Sequence, residues 1–191
     1  MDIVLLQTIS FKTIKANLRD VSLREDKGKY PYKEANIVLT EFNPDHLKPA
    51  AFYILDEQMQ THRQLRNILL KKYALDILKL RCGLVYRYAN QIHTMYPPII
   101  EEFGEDHIVL DGLHRVALAR EFETNIASIF ISKVSSDCPF PCLPIEWAQV
   151  SLVQAVPGVK RLPRRPDAYY SLHRNLNILN LGGSRQNGAK N

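Results

Sequence analysis

An aspartate, a glycine, a histidine and an arginine fall within five residues, at Asp111, Gly112, His114 and Arg115, where the run IVLDGLHRVALAREF passes from strand-like to helix-like sequence. A strand that feeds a glycine and then a helix leaves the helix's first backbone N–H groups without intrahelical partners. The helix dipole adds positive potential at the same point. An anion, typically a phosphate, is favoured there. Gly112 permits close backbone approach, and Leu113, His114 and Arg115 form the first turn, where the histidine and arginine can add donors and positive charge. Asp111 repels phosphate on its own. It fits if it holds Mg²⁺ against phosphate oxygens or accepts a proton from a hydroxyl. The same Asp-Gly pair also makes an ordinary turn, with Arg115 solvated and His114 packed on the sheet.

Other constellations say less. Glu101, Glu102, Glu105, Asp106 and His107 surround Gly104 as an acidic hairpin, and strand alternation lets at most one of Glu101 and Glu102 face the corner. Solvated turn residues are the expected reading. His107 and His114 with Asp111 match no standard metal-ligand spacing. Cys138 and Cys142, in CPFPC, lack a second ligand pair. The three cysteines, Cys82 included, are expected as reduced thiols. No GxxxxGK[ST], GxGxxG, GxSxG or HExxH motif occurs in the sequence.

The elements that must hold the corner can be read on either side of it. After Pro97-Pro98, IIEEF and HIVLD predict two strands joined by a tight turn at Gly104. A helix is expected over Leu113 to Glu123, followed by the β-branched strand IASIFISKV (126–134), which should pair beside the hairpin. Upstream, MDIVLLQTI and ANIVLTEF read as strands. FKTIKANLRDVSLREDKGKY has no clear role. From Ala50 to Leu80 the chain lacks Gly and Pro and predicts one long helix or two with a break; CGLVYRYANQIHTMY fits helix or strand. SSDCPFPCLP is a proline loop. PIEWAQVSLVQAV predicts an amphipathic helix, and Asp167 can cap a further helix, DAYYSLHRNLNIL. The tail GGSRQNGAKN is expected to be disordered.

With 191 residues and 46% hydrophobic content the chain can bury one substantial core. It has no long apolar run and no secretory-type leader, so a membrane partner is not expected and a cytoplasmic protein is. The net charge of +5 is concentrated: residues from Gln154 onward hold seven Lys or Arg against the single acid Asp167, leaving the first 153 residues slightly acidic. The basic stretch 160–174, with Tyr169, Tyr170 and His173, could contact nucleic acid through phosphates and stacking, or could be a solvated connector.

The stretch PPIIEEFGEDHIVLDGLHRVALAREFETNIASIFI resembles the core of the ParB/sulfiredoxin-like superfamily, with its proline-led strand, hairpin, D/G-G-x-H-R or G-E-R-R corner, helix and further strand. The resemblance implies an α+β fold: a small mixed sheet with flanking helices, here with a basic, helical C-terminal extension. It implies a division into an N-terminal extension (1–34), the ParB/sulfiredoxin-like domain (35–156), the extension (157–180) and the tail (181–191). It also implies nucleotide phosphates at Gly112, Leu113, His114 and Arg115. Sulfiredoxins carry their catalytic cysteine where this chain has Leu113, which argues against sulfinic acid reduction. Neither the second Asn-rich motif nor the helix-turn-helix of chromosome-partitioning ParB proteins is found. The corner is most similar to the D-G-H-x-R of free serine kinases, although that pattern's first histidine is Leu113 here. That branch implies catalysis by Asp111 and by a glutamate at the start of the first helix. Glu57 takes that place, without the preceding Pro-His. ATP or ADP, with CTP as the ParB-like variant, Mg²⁺ at Asp111 and a small hydroxyl-bearing acceptor are the implied ligands. The alternative is a non-catalytic nucleotide-binding module that contacts DNA or a protein through the basic segment.

Overall fold

The computed structural model describes residues 3–159, 161–166 and 170–179. Their elements run β1 (Ile3–Ile9), α1 (Phe11–Arg19), β2 (Asn36–Phe42), β3 (Leu47–Lys48), β4 (Tyr53–Leu55), α2 (Asp56–Tyr73), β5 (Gly83–Tyr88), β6 (Gln91–Met95), β7 (Ile99–Phe103), β8 (Asp106–Asp111), α3 (Leu113–Glu121), β9 (Ile126–Ser132) and β10 (Ser151–Val153). Short 3-10 turns intervene at Pro44–His46, Trp147–Gln149 and Leu176–Leu179.

The fold is α+β. Its centre is a five-stranded mixed sheet in the order β2-β9-β7-β8-β3, in which β9 lies antiparallel to β2 and parallel to β7, and β7 and β8 form the expected hairpin. The almost continuous apolar run of β9 suits a strand covered on both faces. Period-two alternation sends Ile129 and Ile131 to a cluster with Ile14 and Leu18 of α1, while Ile126 joins Leu65 and Leu69 of α2 and Val116 and Leu118 of α3. Ile99 and Ile100 of β7 part in the same way.

Residues 3–34 are built into this framework. β1 joins β5 and β6 in a three-stranded antiparallel sheet. Helix α1 begins where the Ser10 side chain accepts the Thr13 N–H at 3.1 Å, and it buries Ile14 and Leu18. The ambiguous CGLVYRYANQIHTMY is the β5–β6 hairpin. Its turn residues Ala89 and Asn90 both take positive φ, 48° and 62°, as a two-residue turn matched to the strand twist requires.

Several sequence expectations need correction. The predicted helix over 50–80 starts only at Asp56, because Tyr53–Leu55 pairs in parallel with Ser151–Val153. It ends at Tyr73, where Ala74 turns left-handed at φ 54° and Leu75 N–H reaches back to the Leu69 carbonyl. Leu75, Ile77 and Leu78 are therefore core residues outside any helix. The amphipathic helix expected over 144–156 is replaced by one 3-10 turn, closed by Glu146 and Gln149 as a reciprocal capping box, and then by β10. The helix expected from Asp167 lies partly outside the described residues. From Tyr170 on, the chain forms turns, a bridge between Arg174 and Leu23, and the 3-10 turn Leu176–Leu179. The tail from 181 is also outside them.

Glu101, expected in solvent, is 1% exposed and lies against Arg174, itself 2% exposed. The guanidinium donates to both carboxylate oxygens, through Nε to Oε2 at 3.1 Å and through Nη2 to Oε1. The Tyr32 hydroxyl donates to Oε2 at 2.6 Å. Arg174 spends its remaining donors on the carbonyls of Cys138, Pro139 and Leu172 at 2.8, 2.9 and 2.6 Å. Burial works against the Arg174 charge, but Tyr32 and Glu101 outweigh it and hold its pKa raised. The arginine is thus locked as a cation. Removing one partner of such a pair strands the other charge, so Arg174→Met should cost about 3–5 kcal/mol in urea unfolding. The double variant Arg174→Met/Glu101→Leu should recover most of that loss. Equal losses in both proteins would show that the pairing is not what holds this region.

Candidate functional site

The corner is set by strand register. Ile99 of β7 pairs with Asp111 at the end of β8, with a bulge between Ile99 and Ile100, so the hairpin delivers the aspartate to the sheet's end just before the chain turns. Gly112 makes the turn at φ 86°. A Cβ there would meet Pro98 Cβ and Arg115 Nη2, each at 2.9 Å, so both conformation and space call for glycine. As the N-cap of α3, Gly112 has no side chain to cap the helix. Asp111, Gly112, Leu113 and His114 are all only partly buried. The helix start is thus uncapped by any side chain and partly exposed at the place where the sequence motif put phosphate.

Arg115 departs from its expected role. It is 4% exposed and points inward, where Nη1 donates to the Tyr96 carbonyl and Nη2 stands 3.8 Å from Asp111 Oδ2. Burial lowers its pKa, opposed by Asp111 and Tyr86. Its geometry is that of a brace behind the aspartate, because Arg115 lies in the first turn of α3 and turns its guanidinium into the core beside Asp111. Tyr86 of β5, within electrostatic reach of this guanidinium, is a neighbour that sequence reasoning missed. Nothing in an alternating strand singles out one tyrosine.

His114 also has a partner. Its Nε2 accepts the backbone N–H of Leu55 at 3.0 Å, and Leu55 is the N-cap residue of α2. One hydrogen bond therefore ties the starts of two helices together. Asp56 and Glu57 open α2, where negative charge complements the helix dipole, and Glu57 is exposed. His62, one turn further along α2, stacks on His114 with centroids 6.0 Å apart and planes 3° apart. Its Nδ1 faces the Gln58 carbonyl at 2.7 Å, and burial, with Arg115 nearby, pushes its pKa down to about 4. Sequence periodicity could place His62 on the core side of α2 but not opposite His114. Among the described residues no group of three or more His, Cys, Asp or Glu gathers to hold a metal. His107 packs against Phe42 and Phe130, and Cys138 and Cys142 are free and buried thiols.

A mixed sheet flanked by helices, with a glycine-turned strand-to-helix corner as its open feature, defines a ParB-like α+β domain. The family model described as the ParB CE domain matches residues 13–151, and the chain belongs to that family. No curated protein and no solved structure matches it. No helix among the described residues is long and apolar enough to cross a membrane.

Two measurements check this geometry. Gly112→Ala should lower stability by about 1–3 kcal/mol, from the left-handed φ and the contact with Pro98. A neutral effect in chemical denaturation would mean that the turn is not formed as described. The His62 pKa lies below its ordinary 6.5, so its contribution to stability is complete above that pH and is lost as the pH falls toward about 4. His62→Gln should shrink the acid-side loss of stability across that interval, with His173, also lowered to about 4, carrying part of what remains. An unchanged slope would contradict the buried neutral imidazole.

Proposed function

We propose that the chain binds a nucleotide by its phosphates at the N-terminus of α3 and transfers a phosphoryl group to a small hydroxyl-bearing acceptor. The observation that carries this reading is the Leu55 to His114 hydrogen bond, which sets the acidic first turn of α2 beside the open start of α3. Backbone amides at Gly112 and Leu113 then offer donors and positive potential to phosphate oxygens. Asp111, at the end of β8, and Glu57, in the first turn of α2, are the acidic groups we assign to phosphoryl transfer to a hydroxyl.

Arg115 orients Asp111, and the Asp111 carboxylate orients the acceptor hydroxyl. The acceptor oxygen forms its bond to phosphorus as the bridging P–O bond of the nucleotide breaks, and the hydroxyl proton passes to Glu57 as general base. Mg²⁺ binds through one or two carboxylates plus substrate phosphates and water rather than through an all-protein cage, and Asp111 is the carboxylate that stands at this corner. When bound, that ion would neutralise phosphate charge, with Asp111 as its protein ligand. ATP or ADP is the expected nucleotide, and CTP is the ParB-like variant.

Calorimetric titration with ATP, ADP, CTP and GTP in Mg²⁺, alongside an assay of phosphoryl transfer to small alcohols and hydroxy amino acids, tests the reading. Binding should be micromolar. Asp111→Asn and Glu57→Gln should each lower transfer at least about a hundredfold while the fold is kept. Absence of binding by every nucleotide would overturn the proposal. Binding without turnover would instead favour a non-catalytic module, with exposed Arg161 and Arg164 in the 160–174 segment as the nucleic-acid contact.

A further inference from the structure

The sequence motif assigns His114 to the ligand as a charged donor. We infer instead that His114 is a neutral positioning residue, held as the Nδ1–H tautomer, whose task is to fasten the first turn of α2 to the first turn of α3. This rests on the proposed function for its catalytic consequence, but not for its chemistry.

A backbone amide can only donate. The ring nitrogen that receives Leu55 N–H at 3.0 Å therefore presents a lone pair, and the ring's single proton sits on Nδ1. Protonating Nε2 as well would replace an acceptor with a donor and point it at another donor. Arg115 is the next residue and is buried, and His62 lies parallel to His114 across the stack. Arg115 braces Asp111 from α3, and Asp56 and Glu57 open α2 just beyond Leu55, so the geometry of the Leu55 hydrogen bond is what fixes the tautomer. The neutral ring thus spends its acceptor on the backbone at the N-cap of α2. Two residues beyond Leu55 stands Glu57.

The consequence is a division of labour within DGLHR. Gly112 and Leu113 present backbone, Asp111 presents a carboxylate, Arg115 braces that carboxylate, and His114 sets the spacing between it and Glu57. Losing the His114 acceptor would let the α2 start move against α3 while leaving the phosphate-facing amides in place. Nucleotide affinity and transfer rate should then respond differently.

The decisive experiment is ¹⁵N NMR of the histidine side chains in the free protein at neutral pH, combined with amide hydrogen exchange at Leu55 in wild type, His114→Ala and His114→Gln. The expected results are an Nδ1–H pattern for His114 and a Leu55 amide that exchanges about five- to tenfold faster in His114→Ala. His114→Gln, whose side-chain carbonyl can accept at the same reach, should restore most of the protection. An Nε2–H or doubly protonated ring, or equal Leu55 protection in His114→Ala, would overturn the inference, whether or not any nucleotide binds. If the protein does transfer phosphoryl groups, His114→Ala should lower kcat about tenfold or more with nucleotide Kd changed less than about twofold, and His114→Gln should recover the rate. A loss of nucleotide affinity matching the loss of rate would return His114 to the phosphate site and overturn its positioning role, leaving the proposed function standing.

Discussion

Glu101 is ionisable and buried, and among the described residues its side-chain partners are Arg174 and Tyr32. Burial pushes the Glu101 pKa up, while Arg174 and Tyr32 pull against that shift. An isolated carboxylate in this position would neutralise or unfold its surroundings, so the three side chains stand or fall together. What they join is widely separated in sequence: Tyr32 from the segment after α1, Glu101 from β7, Arg174 from the basic C-terminal segment, and through Arg174 the carbonyls of the proline loop at Cys138 and Pro139. Strand β7 is central to the sheet, paired with β9 on one side and β8 on the other. Its register with β8 is what brings Asp111 to the corner. The cluster lies away from that corner but anchors the strand that aims it.

The corner itself follows an economical electrostatic pattern. An open helix start attracts anions, yet the two nearest cationic or cationisable side chains of the motif are turned to structural use. Arg115 is satisfied by a backbone carbonyl and a carboxylate, and His114 by a backbone amide. Positive potential at the helix start then comes from backbone dipoles, whose direction is fixed by the fold and needs no side-chain ordering. The acidic first turn of α2 is tied to this corner through the Leu55 to His114 hydrogen bond, so carboxylates and an uncapped helix start share one region of the surface.

Much of this was legible in the residues. The hairpin around Gly104, the glycine turn, α3 and the β-branched β9 were all readable, because each is set by short-range chemistry: φ > 0 at glycine, period two in strands, a helix after an open turn. Asp111 ends β8 and Gly112 makes the turn into α3, as the strand-to-helix pattern reads, and Glu57 stands in the first turn of α2, whose N-cap residue Leu55 is bonded to His114. What was not legible depended on distant partners. The burial of Glu101 needs Arg174, 73 positions away. The strand Ser151–Val153 exists because Tyr53–Leu55 lies beside it, and neither segment carries that information alone. Arg115 reads as a surface cation until the Tyr96 carbonyl is placed above it. The His62 and His114 stack joins two helices that no periodicity relates.

Arg174 lies beyond residue 151, where the match to the ParB CE domain ends, yet it completes a charge cluster within that domain. Protein synthesis runs from the N-terminus, so β7 leaves the ribosome with Glu101 long before its guanidinium partner exists. Until residue 174 has emerged, the nascent sheet must either keep β7 at its surface or hold Glu101 protonated. The last stage of burial therefore waits for the synthesis of residue 174, 73 positions after Glu101, and the chain's order of appearance becomes part of its folding pathway.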